Sequence, residues 1–160
     1  MKKLLVSLVF ILFFVACSSQ PTPHYSLDQP SYKLQNENLI TQKLYRSYRK
    51  WHGVPYCYGG ESKECIDCSA FVQKIYKEAF DIKLPRTTKE QLKVGLLIPK
   101  KELKEGDLLF FRTSYKGLHT GIYLENGNFI HASSSYGVKV SSIKNSYWKS
   151  HYYQARRILF

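Results

Sequence analysis

Apolar side chains recur at Ile40, Leu44, Tyr48 and Trp51, a spacing that predicts a helix from about Leu39 to Lys50, broken by Gly53-Val54-Pro55. The same period returns at Phe71, Val72, Ile75, Tyr76, Ala79 and Phe80, and stepping back one turn from Phe71 and Val72 reaches Cys68. A second helix therefore carries Cys68 in its first turn, on the face that looks inward. Thr87 with Glu90 three residues later forms a capping box, so a short helix is expected to about Val94, stopping at Gly95. From Gly106 the period changes. Asp107-Leu108-Leu109-Phe110-Phe111 has the continuous apolar character of a central strand buried on both faces. Leu118 to Leu124 and Asn128 to Ser133 read as a hairpin, and Gly137–Val140 and Ala155–Ile158 as further strands. Helices followed by an antiparallel sheet define an α+β class.

The hairpin register follows from keeping one face apolar. A two-residue Asn126-Gly127 turn would pair Ile122 with His131 and throw His119 to the opposite face. A three-residue loop, Glu125-Asn126-Gly127, with Gly127 left-handed and a bulge, pairs Leu124 with Asn128 and Ile122 with Ile130. Ile122, Leu124 and Ile130 then share the core face, and His119, Gly121, Tyr123 and His131 share the other. The two imidazoles become diagonal neighbours, with Gly121 leaving room between them.

A cysteine in the first turn of a helix feels the positive end of the helix dipole, which favours thiolate over thiol. The bland alternative is a small buried hydrophobe. A nearby histidine pair tips the balance toward chemistry: one ring takes the thiol proton, and the other fixes its tautomer and steadies its charge.

The chain has 160 residues and a formal charge of +12, with 13 Tyr. Lys2-Lys3 followed by an apolar run from Leu4 to Val15 is a leader too short for a comfortable membrane span. Phe14-Val15-Ala16-Cys17 resembles a bacterial lipobox, which implies a signal peptide over residues 1–16 and lipidation of Cys17. Ser18 after that cysteine resembles the outer-membrane sorting choice of Gram-negative lipoproteins. Residues 17–36 then act as lipidated cysteine and flexible tether, and 37–160 form the domain. The lysines are scattered and no groove-reading motif is present, so nucleic acid is not expected as a partner; a carboxylate-rich or polyanionic wall suits an exported basic protein better.

With Cys68, His119 and His131 placed, the chain resembles the NlpC family of papain-like cell-wall cysteine peptidases. The resemblance runs from about Leu39 to the C-terminus, through Trp51-His52-Gly53-Val54-Pro55-Tyr56, Gly59-Gly60, Asp67-Cys68-Ser69, Leu84-Pro85-Arg86-Thr87, Gly106–Phe111, His119–Leu124 and Phe129–Ser133. It implies the papain-like NlpC fold, with N-terminal helices packed on a central antiparallel sheet. It also implies a Cys68 nucleophile, His119 as base and His131 as orienting ring. Tyr56 is expected near the oxyanion site, with Asp67 and Ser69 meeting the substrate's amine or adjacent groups. The implied reaction is hydrolysis of peptidoglycan stem or cross-link amides near diaminopimelate through a Cys thioester, with no metal or cofactor. A monomer, periplasmic and lipid-anchored to the outer membrane, completes the expectation. Ala70 stands where the family usually has Gly, Cys57-Tyr58 where Arg-Trp is common, and Thr120 where Val is frequent.

Two other classes stay open at this point. One is a non-catalytic peptidoglycan-binding lipoprotein. The other is a thiol-disulfide redox protein using Cys65 and Cys68, since Cys65-Ile66-Asp67-Cys68 has the spacing of a redox motif, although here the second cysteine heads the helix. In an oxidising compartment Cys57 is able to pair with Cys65, or Cys65 with Cys68. By residue type, Cys57, Cys65, Cys68 and a histidine also form a zinc set, though the Cys57 to Cys65 loop is longer than usual metal spacing.

Overall fold

The computed structural model describes residues 39–114 and 117–159; the expected leader, Cys17 and tether lie outside these residues. In chain order the elements are α1 (Leu39–Trp51), α2 (Cys68–Phe80), α3 (Thr88–Gln91), β1 (Leu96–Ile98), β2 (Leu108–Arg112), β3 (Leu118–Tyr123), β4 (Asn128–Ser133), β5 (Gly137–Ser142), α4 (Ser146–His151) and β6 (Tyr152–Arg157). The strands form one antiparallel sheet in the order β1-β6-β2-β3-β4-β5.

The α+β expectation holds, and strand β2 lies inside the sheet with Leu108, Leu109, Phe110 and Phe111 fully buried. Its side chains alternate between two cores. Leu108 and Phe110 join Ile122, Ile130 and the apolar stripe of α2 on one face. Leu109 and Phe111 join Phe129 and Ala155 on the other, under Trp148 of α4. Helices α1 and α2 are clasped by Trp51, whose indole Nε1 donates to Glu78 at 2.9 Å.

The hairpin adopts the apolar-consistent register: Ile122 opposes Ile130 and Tyr123 opposes Phe129. Its turn is tighter than expected. Asn126 and Gly127 both have positive φ (55° and 87°), the mark of a primed two-residue turn, closed by Asn128 N donating to Glu125 O at 2.8 Å. Glu125 is then the extra residue, and Leu124 N still bonds Asn128 O at 2.9 Å. The bulge shifts the register by one and keeps the apolar face inward.

Three local expectations change. The capping box of Thr87 and Glu90 forms, but α3 ends at Gln91 instead of near Val94. The chain must turn there, because Gly95 (φ 72°) passes so close to β6 that a Cβ would fall 2.3 Å from Arg157 O. Strand β1, immediately after it, and helix α4, capped by Asn145 through Tyr147 N at 2.9 Å, are additional elements.

Candidate active site

Asp67 starts α2. Its carboxylate accepts from Ala70 N at 2.7 Å and from Ser69 Oγ at 3.0 Å, the work of an N-cap that satisfies an otherwise orphaned amide. Arg86 grips the same carboxylate in a two-pronged pair, Nη2 to Oδ2 at 2.8 Å and Nη1 to Oδ1 at 3.1 Å, and also donates to Ser69 Oγ at 3.1 Å. Burial alone would raise the Asp67 carboxyl; the hydrogen bonds from Arg86, Ala70 and Ser69 outweigh it and hold it below the usual range. Asp67 and Ser69 are therefore committed to building the helix start. Neither is among the residues that line the cavity beside Cys68.

The segment before the helix is tied at several points. Ile66 N donates to Pro55 O at 2.9 Å and Asp67 N to Gly60 O at 3.0 Å. Cys57 and Cys65 are joined by a disulfide, leaving Cys68 free. Glycine is needed at position 60, where a Cβ would lie 2.3 Å from Cys57 Sγ. This knot carries Tyr56 to the cavity wall. Among the described residues no group of three or more His, Cys, Asp or Glu is arranged to hold a metal ion.

Cys68 is 7% exposed and sits where α2 packs on β3, with Sγ 3.6 Å from Thr88 Oγ1. Burial pushes its thiol up, against hydrogen bonds from Thr88 and from the backbone of Thr120 and Ser69. Loss of water at this buried position therefore opposes the preference for thiolate that a helix N-terminus confers.

Strands β3 and β4 bring His119 and His131 to the same cavity. His119 Nε2 is 2.9 Å from His131 Nδ1, and His131 Nε2 is 2.9 Å from Ser141 Oγ on β5. Burial depresses His119 to about 4. His131, fully buried, is pushed well below its ordinary value by burial and then by the charges of His119 and Lys139. Trp148 closes the cluster, its ring centre 5.3 Å from that of His119 and 4.9 Å from that of His131. The cavity has a volume of about 470 Å³.

Ser141 and Trp148 escaped the sequence reading. Extending the alternation of the hairpin into Gly137–Ser142 would have found Ser141; α4, six residues without a repeating apolar period, gives Trp148 no comparable signal.

A buried thiol at a helix start, set in one cavity with a sheet-borne imidazole pair, defines a papain-like cysteine hydrolase domain. The family description NlpC/P60 matches residues 53–157, and the chain belongs to the NlpC/P60 family. It is 42% identical over 153 residues to a probable endopeptidase NlpC of Escherichia coli K12, covering 94% of this chain and 96% of that one. To a murein DD-endopeptidase MepS/murein LD-carboxypeptidase of the same strain it is 44% identical over 128 residues, covering 77% and 68%. Among solved structures, an NlpC/P60 family protein from Bacillus cereus superposes with a TM-score of 0.66 at 30% identity, over 73% of this chain and 39% of that longer one. The NlpC/P60 domain of the peptidoglycan hydrolase SagA gives 0.63 at 29% identity, over 74% and 98%.

Proposed function

We propose that the protein is a peptidoglycan endopeptidase that hydrolyses stem or cross-link amides near diaminopimelate. The observation that carries this reading is the convergence of Cys68, His119 and His131 on one cavity. His119 Nε2 is taken up by His131, so Nδ1 is the nitrogen able to accept the thiol proton. As sulfur attacks the carbonyl carbon, that proton passes to His119 and then to the departing amine. Water, deprotonated by the same ring, then cleaves the thioester and restores the thiol. Tyr56, which lines the cavity, is assigned to the oxyanion side. The bond between Cys57 and Cys65 favours hydrolysis over dithiol exchange, since Cys68 has no disulfide partner. The similarity to a murein DD-endopeptidase supports the cell envelope as the site of this work. The leader residues are assigned to a signal peptide and to a lipid anchor at Cys17 on the outer membrane, with the domain working as a periplasmic monomer.

The test is mass spectrometry of muropeptides digested by the purified protein. Cys68→Ser is expected to abolish product formation, and Cys65→Ser to leave part of it. Equal and complete loss from both substitutions, or wall binding without cleavage by the unsubstituted protein, would overturn the reading.

A further inference from the structure

The walls of the cavity around Cys68 are rich in hydroxyls and rings, and with both imidazoles neutral at pH 7 Lys139 is the single fixed charge among its described lining residues. Lys139 lies on β5 directly opposite His131. Its ammonium stands 4.7 Å from the centre of the Tyr136 ring, a contact that steers a cation without neutralising it. None of the ion pairs among the described residues involves it. A half-buried, unneutralised ammonium works against the reaction. It discourages positive charge on His131, and through the shared hydrogen bond on His119, at the moment the thiol hands over its proton. An anion seated on Lys139 removes that opposition.

We infer that Lys139 is a specificity-determining residue that receives a free carboxylate of the substrate, on a residue adjoining the scissile amide. The inference rests on the peptidase reading above and adds to it which substrates are preferred. Stem peptides whose carboxylate is free bind the lysine and relieve its charge in one step. Stems carrying a neutral carboxamide there do neither, and leave an ammonium partly desolvated without a partner.

Two synthetic stem peptides, identical except for a free carboxylate or a primary carboxamide on the diaminopimelate residue, provide the test. The unsubstituted protein is expected to favour the carboxylate peptide in kcat/KM by about tenfold, the scale of one charge-assisted hydrogen bond. Lys139→Met should bring that ratio close to one, chiefly by raising KM for the carboxylate peptide, and Lys139→Arg should retain the preference. Equal turnover of both peptides by the unsubstituted protein would overturn the inference, as would an unchanged ratio in Lys139→Met. If neither peptide is cut, the peptidase reading fails. The binding of both peptides to Cys68→Ala, measured by calorimetry, then judges Lys139 separately: a Kd ratio near one sinks it, and a ratio lost in the Cys68→Ala, Lys139→Met double variant sustains it.

Discussion

His119 Nε2 and His131 Nδ1 are 2.9 Å apart, and only one of the two nitrogens carries the shared proton when both rings are neutral. If His119 keeps Nδ1 bare to act as base, its Nε2–H donates to His131 Nδ1. His131 must then be protonated on Nε2, which donates to Ser141 Oγ at 2.9 Å. The serine hydroxyl is then the acceptor that ends the chain of hydrogen bonds running back to the ring beside the thiol. Ser141→Ala should lower kcat about fivefold to tenfold with little change in KM or melting temperature, and Ser141→Thr should restore most of it.

The two depressed imidazoles also set an acid limit. With the folded value of His119 near 4 and the ordinary value near 6.5, the unfolded chain binds more protons between those limits. Stability is therefore full above about pH 6.5 and falls as pH drops toward 4, by up to about 1.4 kcal/mol per pH unit for each ring. Thermal melts from pH 8 to pH 4 should show a plateau and then a decline. His131→Phe should flatten the decline, and an unchanged slope would remove the buried rings as its cause.

Gly121 lies against β4 beside His131. A Cβ there would lie 2.7 Å from Ile130 O, 2.8 Å from Phe129 Cδ2 and 3.2 Å from His131 Cβ. Backbone and a buried ring are poor at yielding, so Gly121→Ala should destabilise the domain by about 1–3 kcal/mol. Activity measured well below the melting transition should fall further than the folded fraction does, because β3 and β4 part where the two rings meet.

The Cys57–Cys65 bond closes a loop whose cross-link spans a sequence separation of 8 residues. Chain entropy alone assigns such a closure about 2–3 kcal/mol. Dithiothreitol, or the double change Cys57→Ser with Cys65→Ser, should lower the melting temperature and raise KM, since Tyr56 adjoins the bridge and lines the cavity. Denaturant titration with and without reductant measures the first effect and steady-state kinetics the second.

Removing Arg86 strands the Asp67 carboxylate, whose side chain is only 11% exposed. Arg86→Ala should cost about 3 kcal/mol, the scale for breaking a buried pair from one side. Its acid unfolding should begin at higher pH, because the group whose hydrogen bonds hold the Asp67 carboxyl low has gone. Arg86→Lys should recover only part of this, lacking the fork that meets both carboxylate oxygens.

Much of this was readable before any coordinates. The stripe from Phe71 to Phe80 placed Cys68 at a helix start, and the demand for one apolar face selected the register that joins the imidazoles, although the turn itself resolved into a primed pair plus a bulge at Glu125. What stayed hidden depended on distant packing. The state of the Cys68 thiol is a contest between dipole and desolvation, and desolvation is set by strands forty or more residues away. The grip of Arg86 on Asp67 and Ser69 had no local signal either, because that guanidinium arrives from a separate loop. Helix α4 is too short for a period to declare it, yet it roofs the second core and the histidine pair.

The bridge beside Tyr56 also bears on when the molecule becomes competent. Sulfur atoms join only after an oxidant has reached them, and a reducing cytosol withholds one. A copy that has not yet met an oxidant therefore keeps one wall of its cleft untied. Oxidation itself would then arm the hydrolase, by fixing the wall that carries Tyr56.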